Sequence, residues 1–105
     1  SHPTLHRALA AIHGRPDHPW SNEELSETSA MSRSHFMAQF RKIVGATPQA
    51  YLITWRLTLA RRKLASGGKV KVVARQVGFA SAAAFSRAYF RRFGGWPSEV
   101  ASKGK

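Results

Sequence analysis

Hydrophobic residues recur along this chain at the three- and four-residue spacing of helices, and no stretch shows the alternation typical of a strand. Glycines, prolines and capping residues divide the pattern into successive segments. The predicted helices cover residues 3–12, 21–28, 32–44, 48–65, 70–77 and 81–93, followed by a frayed turn that begins at Pro97. The pattern therefore predicts an all-α fold of about seven helices.

Local chemistry supports these boundaries. Ser21 with Glu24 three residues later forms a capping box, and Thr47-Pro48 is an N-cap followed by proline at the first helical position. In the predicted helices at 32–44 and 81–93, the side chains expected to face the core are Phe36, Phe40, Ile43, Val44, Phe85, Tyr89 and Phe93. The aromatic residues as a group are expected to fall at core spacings.

A short helix, a tight turn and a longer helix occur twice, at about 22–44 and 70–93. A helix-turn-helix unit needs a small residue in its first helix, a turn residue four positions later and an apolar anchor in its second helix. The second unit meets these needs with Ala74, Gly78 and Phe85.

The first unit has Ser26, Ala30 and Phe36 at the corresponding positions. Ala30 departs from the pattern, because alanine tolerates a positive φ poorly. Either the turn is more helical in this unit, or the role of glycine is absent from it.

The helix at 48–65 joins the two units and would be about 27 Å long. Successive major-groove segments lie about 34 Å apart, so such a helix with its end turns could hold two reading helices one DNA turn apart. The predicted organisation is a first helix-turn-helix subdomain at 1–47, a linker helix at 48–65 and a second subdomain at 66–105.

The distribution of charged residues indicates what kind of partner this fold binds. Lysine and arginine number 17 against 5 acids, a formal net charge of +12, and no acid lies between Met31 and Ser98. One-sign charge over most of a domain indicates a polyanionic partner. Nucleic acid is favoured, with an anionic membrane or an acidic protein as alternatives.

Two segments resemble a known family. Residues 75–94, RQVGFASAAAFSRAYFRRFG, and residues 30–45, AMSRSHFMAQFRKIVG, are similar to the signature of the AraC/XylS family, and Thr47-Pro48 with the helix after it resembles that family's linker helix. The resemblance covers about residues 3–100. It implies a non-enzymatic, cofactor-free domain that binds double-stranded DNA sequence-specifically to regulate transcription, with its two recognition helices in successive major-groove segments.

The resemblance also implies an accompanying domain, a protein partner and a cellular location. Family members are bacterial regulators in which this domain is joined to an effector-binding or dimerisation domain. Such a domain is absent from this sequence, so the chain is either a fragment of a longer regulator or a stand-alone member. RNA polymerase is the expected protein partner, no membrane is involved, and the expected location is the bacterial cytoplasm, at the nucleoid.

The C-terminal turn departs from the family pattern. Trp96 stands before the final proline where the family has threonine or serine, and Val100-Ala101 replace an aromatic–basic pair. The last turn is therefore expected to be poorly capped.

A recognition helix presents its N-terminal half to base edges. The predicted base-contact residues are Arg33, Ser34, His35, Met37, Ala38, Ala83, Ala84 and Arg87. Arg87 is the strongest candidate, since arginine can bond guanine O6 and N7 together, with a phosphate contact as its alternative. Met37 and Ala83 either touch thymine methyl groups or are passive, and His35 is a base contact, a phosphate ligand or a surface residue.

Phosphate contacts are expected from amides at helix N-termini and from nearby basic side chains. The candidates are Arg41, Lys42, Lys69, Lys71, Arg75, Ser81, Arg91 and Arg92. Each has a solvated surface position as its alternative.

The rival functions fit less well. His2 and His6 have a helical metal spacing but no carboxylate beside them, the chain has no cysteine, and its few acids form no catalytic set, so neither a metal site nor catalytic residues are expected. RNA modules expose stacking aromatics, whereas the aromatics here are expected to be core residues. No apolar run approaches the roughly 18 residues that span a bilayer.

Overall fold

The computed structural model describes residues 4–103, with side chains to residue 101, and this part of the chain contains helices and turns without a strand. The helices are α1 (His6–Gly14), α2 (Asn22–Thr28), α3 (Arg33–Val44), α4 (Pro48–Ala65), α5 (Val70–Gln76), α6 (Ala82–Phe93) and α7 (Pro97–Lys103). The all-α prediction is confirmed. His2 and the predicted helix start at Pro3 lie outside the described residues.

The chain forms two compact units, residues 1–53 and 54–105, and the boundary falls inside α4. Unit 1 contains the α2–α3 pair and unit 2 contains the α5–α6 pair. The role of residues 48–65 as a linker stays a prediction. Within residues 4–103, no helix is both long enough and apolar enough to cross a membrane.

The core of unit 1 forms where α2 packs against both α1 and α3. Its buried hydrophobic residues are Leu5, Ala8, Ile12, Leu25, Phe36, Phe40 and Leu52. The expectation that Ile43 is buried is wrong, because its side chain is 52% exposed. Ile43 points to the same side of α3 as Phe36, but it lies in the last turn, where the core no longer covers it.

The N-terminus of α2 has the predicted capping box. The Glu24 amide donates to Ser21 Oγ at 3.0 Å, and the Ser21 amide donates to Glu24 Oε1 at 3.0 Å. His18 Nε2 lies 3.1 Å from Glu24 Oε2. The hydrogen bond from the Ser21 backbone, followed by that from His18, lowers the pKa of Glu24. The cap therefore keeps its charged acceptor down to lower pH than a free glutamate would.

The loop before α2 is also tied to the start of α4. Trp20 Nε1 donates to the Arg15 carbonyl at 2.9 Å, which folds the loop back on itself. Gln49 Nε2 donates to the Trp20 carbonyl at 2.7 Å and to Asn22 Oδ1 at 3.2 Å. The first turn of α4 is thus part of unit 1, since its side chain completes the loop that introduces α2.

Unit 2 surrounds the anchors of α6. Phe85 and Tyr89 are buried with residues of α4, of α5 and of the turn after α5, namely Leu57, Ala60, Leu64, Val73, Ala74 and Val77. Phe93 is half-buried, and the Arg61 guanidinium lies 4.2 Å from its ring centroid. Because this face of α6 is fixed in the core, the opposite face is held towards solvent.

The C-terminal turn is better ordered than its sequence predicts. The Trp96 amide donates to Glu99 Oε1 at 2.6 Å, Pro97 is buried, and Val100 and Ala101 pack on the unit 2 core. The expectation of a frayed turn is therefore wrong, because residues 97–103 form helix α7. The Glu99 carboxylate accepts from the amide of the N-cap residue Trp96, which is one half of a capping box. The other half, in which a threonine or serine side chain accepts from an amide of the first turn, has no counterpart in Trp96.

Both helix-turn-helix turns pass through one residue with a positive φ, although residues 29–32 join the first pair of helices and residues 77–81, one residue more, join the second. Ala30 has φ +54° and Gly78 has φ +102°. The amide after each turn residue bonds back to the small residue of the first helix, from Met31 to the Ser26 carbonyl at 3.0 Å and from Phe79 to the Ala74 carbonyl at 2.9 Å. Both alternatives considered for Ala30 are therefore wrong, because alanine itself occupies the left-handed conformation that glycine occupies in unit 2.

This strained alanine predicts a stability difference. Ala30→Gly should raise the free energy of unfolding by about 0.5–1 kcal/mol, because left-handed backbone costs an L-residue about 1–2 kcal/mol, partly offset by the entropy of glycine. Gly78→Ala, the matched change in unit 2, should lower it by about 1 kcal/mol. Urea unfolding followed by circular dichroism measures both. A destabilising Ala30→Gly would contradict a strained turn.

Candidate nucleic-acid interface

The second helices of the two pairs are built alike. Helices α3 and α6 each have 12 residues. Each has a serine N-cap, in which Ser32 Oγ accepts from the His35 amide at 3.3 Å and Ser81 Oγ accepts from the Ala84 amide at 3.0 Å. Each ends at a left-handed glycine. Because both caps match, α3 and α6 correspond residue by residue.

Each of these helices presents a row of exposed residues at positions i, i+4 and i+7. The row is Ser34, Ala38 and Arg41 in α3, and Ala83, Arg87 and Phe90 in α6. This spacing places the three side chains of each row on one face, and that face lies away from the buried anchors. We call these rows the outward faces of α3 and α6.

Most of the predicted base-contact residues lie on or beside the outward faces. Exposed ones are Arg33, Ser34, His35, Ala38, Ala83 and Arg87, and half-buried ones are Met37 and Ala84. Within unit 1, the polar groups come from the first turn of α3. Within unit 2, the first turn of α6 offers only methyl groups, so Arg87 is the first side chain along that face that can donate to a base.

Sequence reasoning missed one part of the α6 surface. Phe90 is 42% exposed and Trp96 is 47% exposed, and their rings stack with centroids 4.4 Å apart and an interplanar angle of 30°. The expectation that the aromatics are core residues is wrong for this pair. Phe90 lies one position after Tyr89 in the buried row, and that single step, about 100° around the helix, turns it to solvent.

The predicted phosphate ligands are exposed, and within the described part of the chain none of them has a carboxylate at ion-pair distance. Lys71, Arg75 and Ser81 share the lining of a shallow cavity of about 240 Å³ beside the α5–α6 turn. Arg91 lies next to the outward face of α6, whereas the Arg92 guanidinium lies 5.8 Å from the ring centroid of Phe93, towards the core side.

The first helices of the two pairs carry opposite charge. Counting back from the turn residues Ala30 and Gly78, Glu27 of α2 corresponds to Arg75 of α5, and Glu23 corresponds to Lys71. The α2 surface would repel a polyanion placed beside it, whereas the α5 surface would attract one. The two units therefore share a backbone plan but differ in electrostatics.

Across residues 4–101, no group of three or more histidine, cysteine, aspartate or glutamate side chains is placed to hold a metal ion. His6 is exposed, and its proposed partner His2 lies outside the described residues.

The amino-acid sequence is similar to those of known helix-turn-helix transcriptional regulators. A family model described as a helix-turn-helix domain matches residues 25–103. The transcriptional regulator AlkR of Acinetobacter baylyi is 45% identical over 93 residues, which is 88% of this chain and 30% of that protein. The activator RclR of Escherichia coli, described as specific for RCS, is 36% identical over 99 residues, covering 93% of this chain and 35% of that protein.

Solved structures show the same fold. The DNA-binding domain of AdpA, described as a global transcriptional factor and solved in complex with a target DNA, superposes with a TM-score of 0.88 at 30% identity, covering 95% of this chain and 91% of that one. A regulator with an AraC-type DNA-binding domain from Chromobacterium violaceum also superposes with a TM-score of 0.88, at 24% identity, covering 97% of this chain and 92% of that one. The chain spans about a third of the length of the curated relatives it matches.

Proposed function

The chain belongs to the AraC-like family of helix-turn-helix transcriptional regulators, as its 37% identity over 92% of its length to an AraC-like regulator of Streptomyces antibioticus shows, and on that basis we propose that it binds double-stranded DNA sequence-specifically to regulate transcription. Helices α3 and α6 are the reading helices and enter successive major-groove segments. The observation that carries this proposal is the pair of matching 12-residue helices, each anchored by buried phenylalanine and each presenting an exposed face. A net charge of +12 supplies the attraction for the phosphate backbone.

The proposed base contacts divide unequally between the two helices. In α3, the exposed side chains of Arg33, Ser34 and His35 can hydrogen-bond to base edges, with Met37 and Ala38 beside them. In α6, Ala83 and Ala84 offer only methyl contacts, and Arg87 is the single hydrogen-bonding reader. Unit 1 accordingly supplies most of the sequence preference.

The proposed phosphate contacts lie mainly in unit 2. Lys69, Lys71, Arg75 and Ser81 surround the start of the α5–α6 pair, and Arg91 and Arg92 follow its reading helix. In unit 1, the proposed phosphate ligands are Arg41 and Lys42, and Glu23 and Glu27 occupy the positions of Lys71 and Arg75. The charge reversal supports a unit 2 that mainly anchors the duplex and a unit 1 that mainly reads it.

The remaining parts of the proposal concern the whole regulator. Since the relatives are about three times as long as the part this chain matches, we propose that an effector-binding or dimerisation domain accompanies this one in the full-length protein. RNA polymerase is the proposed protein partner. The proposed location is the bacterial cytoplasm, at the nucleoid, because that is where a regulator meets its operator.

The first test is the salt dependence of binding. We expect the logarithm of the association constant to fall steeply with the logarithm of salt concentration, with the slope of a protein that neutralises about 6–10 phosphates. Fluorescence anisotropy with a labelled duplex between low and moderate salt measures it. An affinity that stays flat over this range, or an equal preference for single-stranded RNA, would rule out the proposed mode of binding.

The second test separates reading from anchoring. Arg87→Ala should weaken binding to the preferred sequence by about 1–3 kcal/mol and relax the preference at one base pair. Arg91→Ala or Lys71→Ala should weaken all sequences alike and reduce the salt slope by about one. Selection of bound duplexes from a random pool, run with each variant, distinguishes the two outcomes. If Arg87→Ala weakens every sequence equally, Arg87 is a phosphate ligand and the division of labour fails.

A further inference from the structure

The stacked pair of Phe90 and Trp96 leaves a large aromatic surface open to solvent on the outward side of α6. Phe90 lies three residues after Arg87 and seven after Ala83, so it continues the same exposed row. Trp96 follows the left-handed glycine that ends α6, and Glu99 fixes its backbone through the 2.6 Å hydrogen bond to its amide. The pair is thus held in place by a capped turn.

The correspondence between α3 and α6 indicates which kind of surface the Phe90–Trp96 pair contacts. Because α3 and α6 correspond residue by residue between their serine and glycine caps, Phe90 occupies the position that Arg41 occupies in unit 1. Arg41 stands where the outward face of α3 meets the predicted phosphate contacts. In unit 2 an aromatic ring therefore stands at the position where unit 1 has a phosphate ligand.

We propose that the Phe90–Trp96 pair packs against the deoxyribose sugars of one DNA strand at the edge of the groove that α6 enters. This inference rests on the proposed function. The C–H faces of the sugars, which lie between successive phosphates, are the apolar part of the DNA backbone. Apolar side chains gain free energy by leaving water on such a surface, and that gain does not depend on counterion release.

The charges around the pair favour a polyanion as the occupant, and its continuity with the outward face of α6 favours DNA as that polyanion. Arg87 and Arg91 are exposed beside Phe90, along one side of it on α6, and would bond phosphates next to a sugar that Phe90 contacts. The nearby carboxylate, Glu99, accepts from the Trp96 amide, so its charge is engaged in the cap. Continuity with the outward face makes the aromatic pair the next surface that a duplex held by Arg87 would meet.

The salt dependence of DNA binding tests this proposal, because an apolar contact and an ionic contact change different quantities. Phe90→Ala combined with Trp96→Ala should weaken duplex binding about tenfold with an unchanged salt slope. Arg91→Ala should reduce the slope by about one. Phe90→Arg, which introduces the charge found at Arg41, should steepen the slope by about one.

Ile43→Ala is the matched control, because Ile43 is also exposed but lies on the side of α3 opposite Ser34. It should leave affinity and slope unchanged, and thermal unfolding checks that every variant folds. Wild-type affinity in the double alanine variant, or a slope unmoved by Phe90→Arg, overturns the proposal and leaves the pair as a surface for a protein. A wild-type chain that binds no duplex overturns the proposed function, and this inference with it.

Discussion

Each helix-turn-helix pair depends on one residue held in left-handed backbone. At Ala30 and at Gly78 this conformation sends the following amide back to a carbonyl of the first helix, and the chain leaves the turn in a new direction. The small residue at each crossing, Ser26 or Ala74, is buried, so the two helices can approach closely. The anchors of the second helix then reach the core, and the opposite face is presented outward. That unit 1 achieves this with alanine shows how strongly the packing imposes the turn.

On this common plan the two units carry different chemistry. Unit 1 combines an acidic first helix with a reading helix whose first turn is polar, while unit 2 combines a basic first helix with a reading helix whose first turn is methyl groups. Affinity for a polyanion follows basic charge, and sequence preference follows hydrogen-bonding groups at base edges. The contrast between Glu27 and Arg75 at equivalent positions is the observation that most supports the proposed separation of these two tasks.

Much of the fold could be predicted because its boundaries rest on local chemistry. Ser21, Ser32 and Ser81 cap the helices predicted after them, and Gly45 and Gly94 end the reading helices. The predictions that proved wrong concern residues whose burial depends on their surroundings in the fold and not only on their spacing in the sequence. Ile43 has the right spacing for the core but lies in the last turn of its helix, beyond the side chains that would cover it.

The C-terminal turn failed for a related reason. The family pattern predicts a weak start to α7, because Trp96 replaces a threonine or serine before the proline. It does not consider Glu99, whose carboxylate accepts a hydrogen bond from the Trp96 amide. The exposed pair that Trp96 forms with Phe90 could have been found from helical spacing, since Phe90 is in register with Ala83 and Arg87. The exposed residues that contact bases or phosphates depend on the bound DNA, which neither the sequence nor the fold of the chain contains.

The central claim is that one chain reads two adjacent groove segments with two different helices. Footprinting of the purified domain on a duplex selected from a random pool, together with the stoichiometry of the complex, tests it most directly. We expect one chain per site and protection of about 15–20 base pairs without dyad symmetry, from the one-turn spacing of the reading helices. A strictly palindromic site that is bound only by two copies of the chain would contradict it.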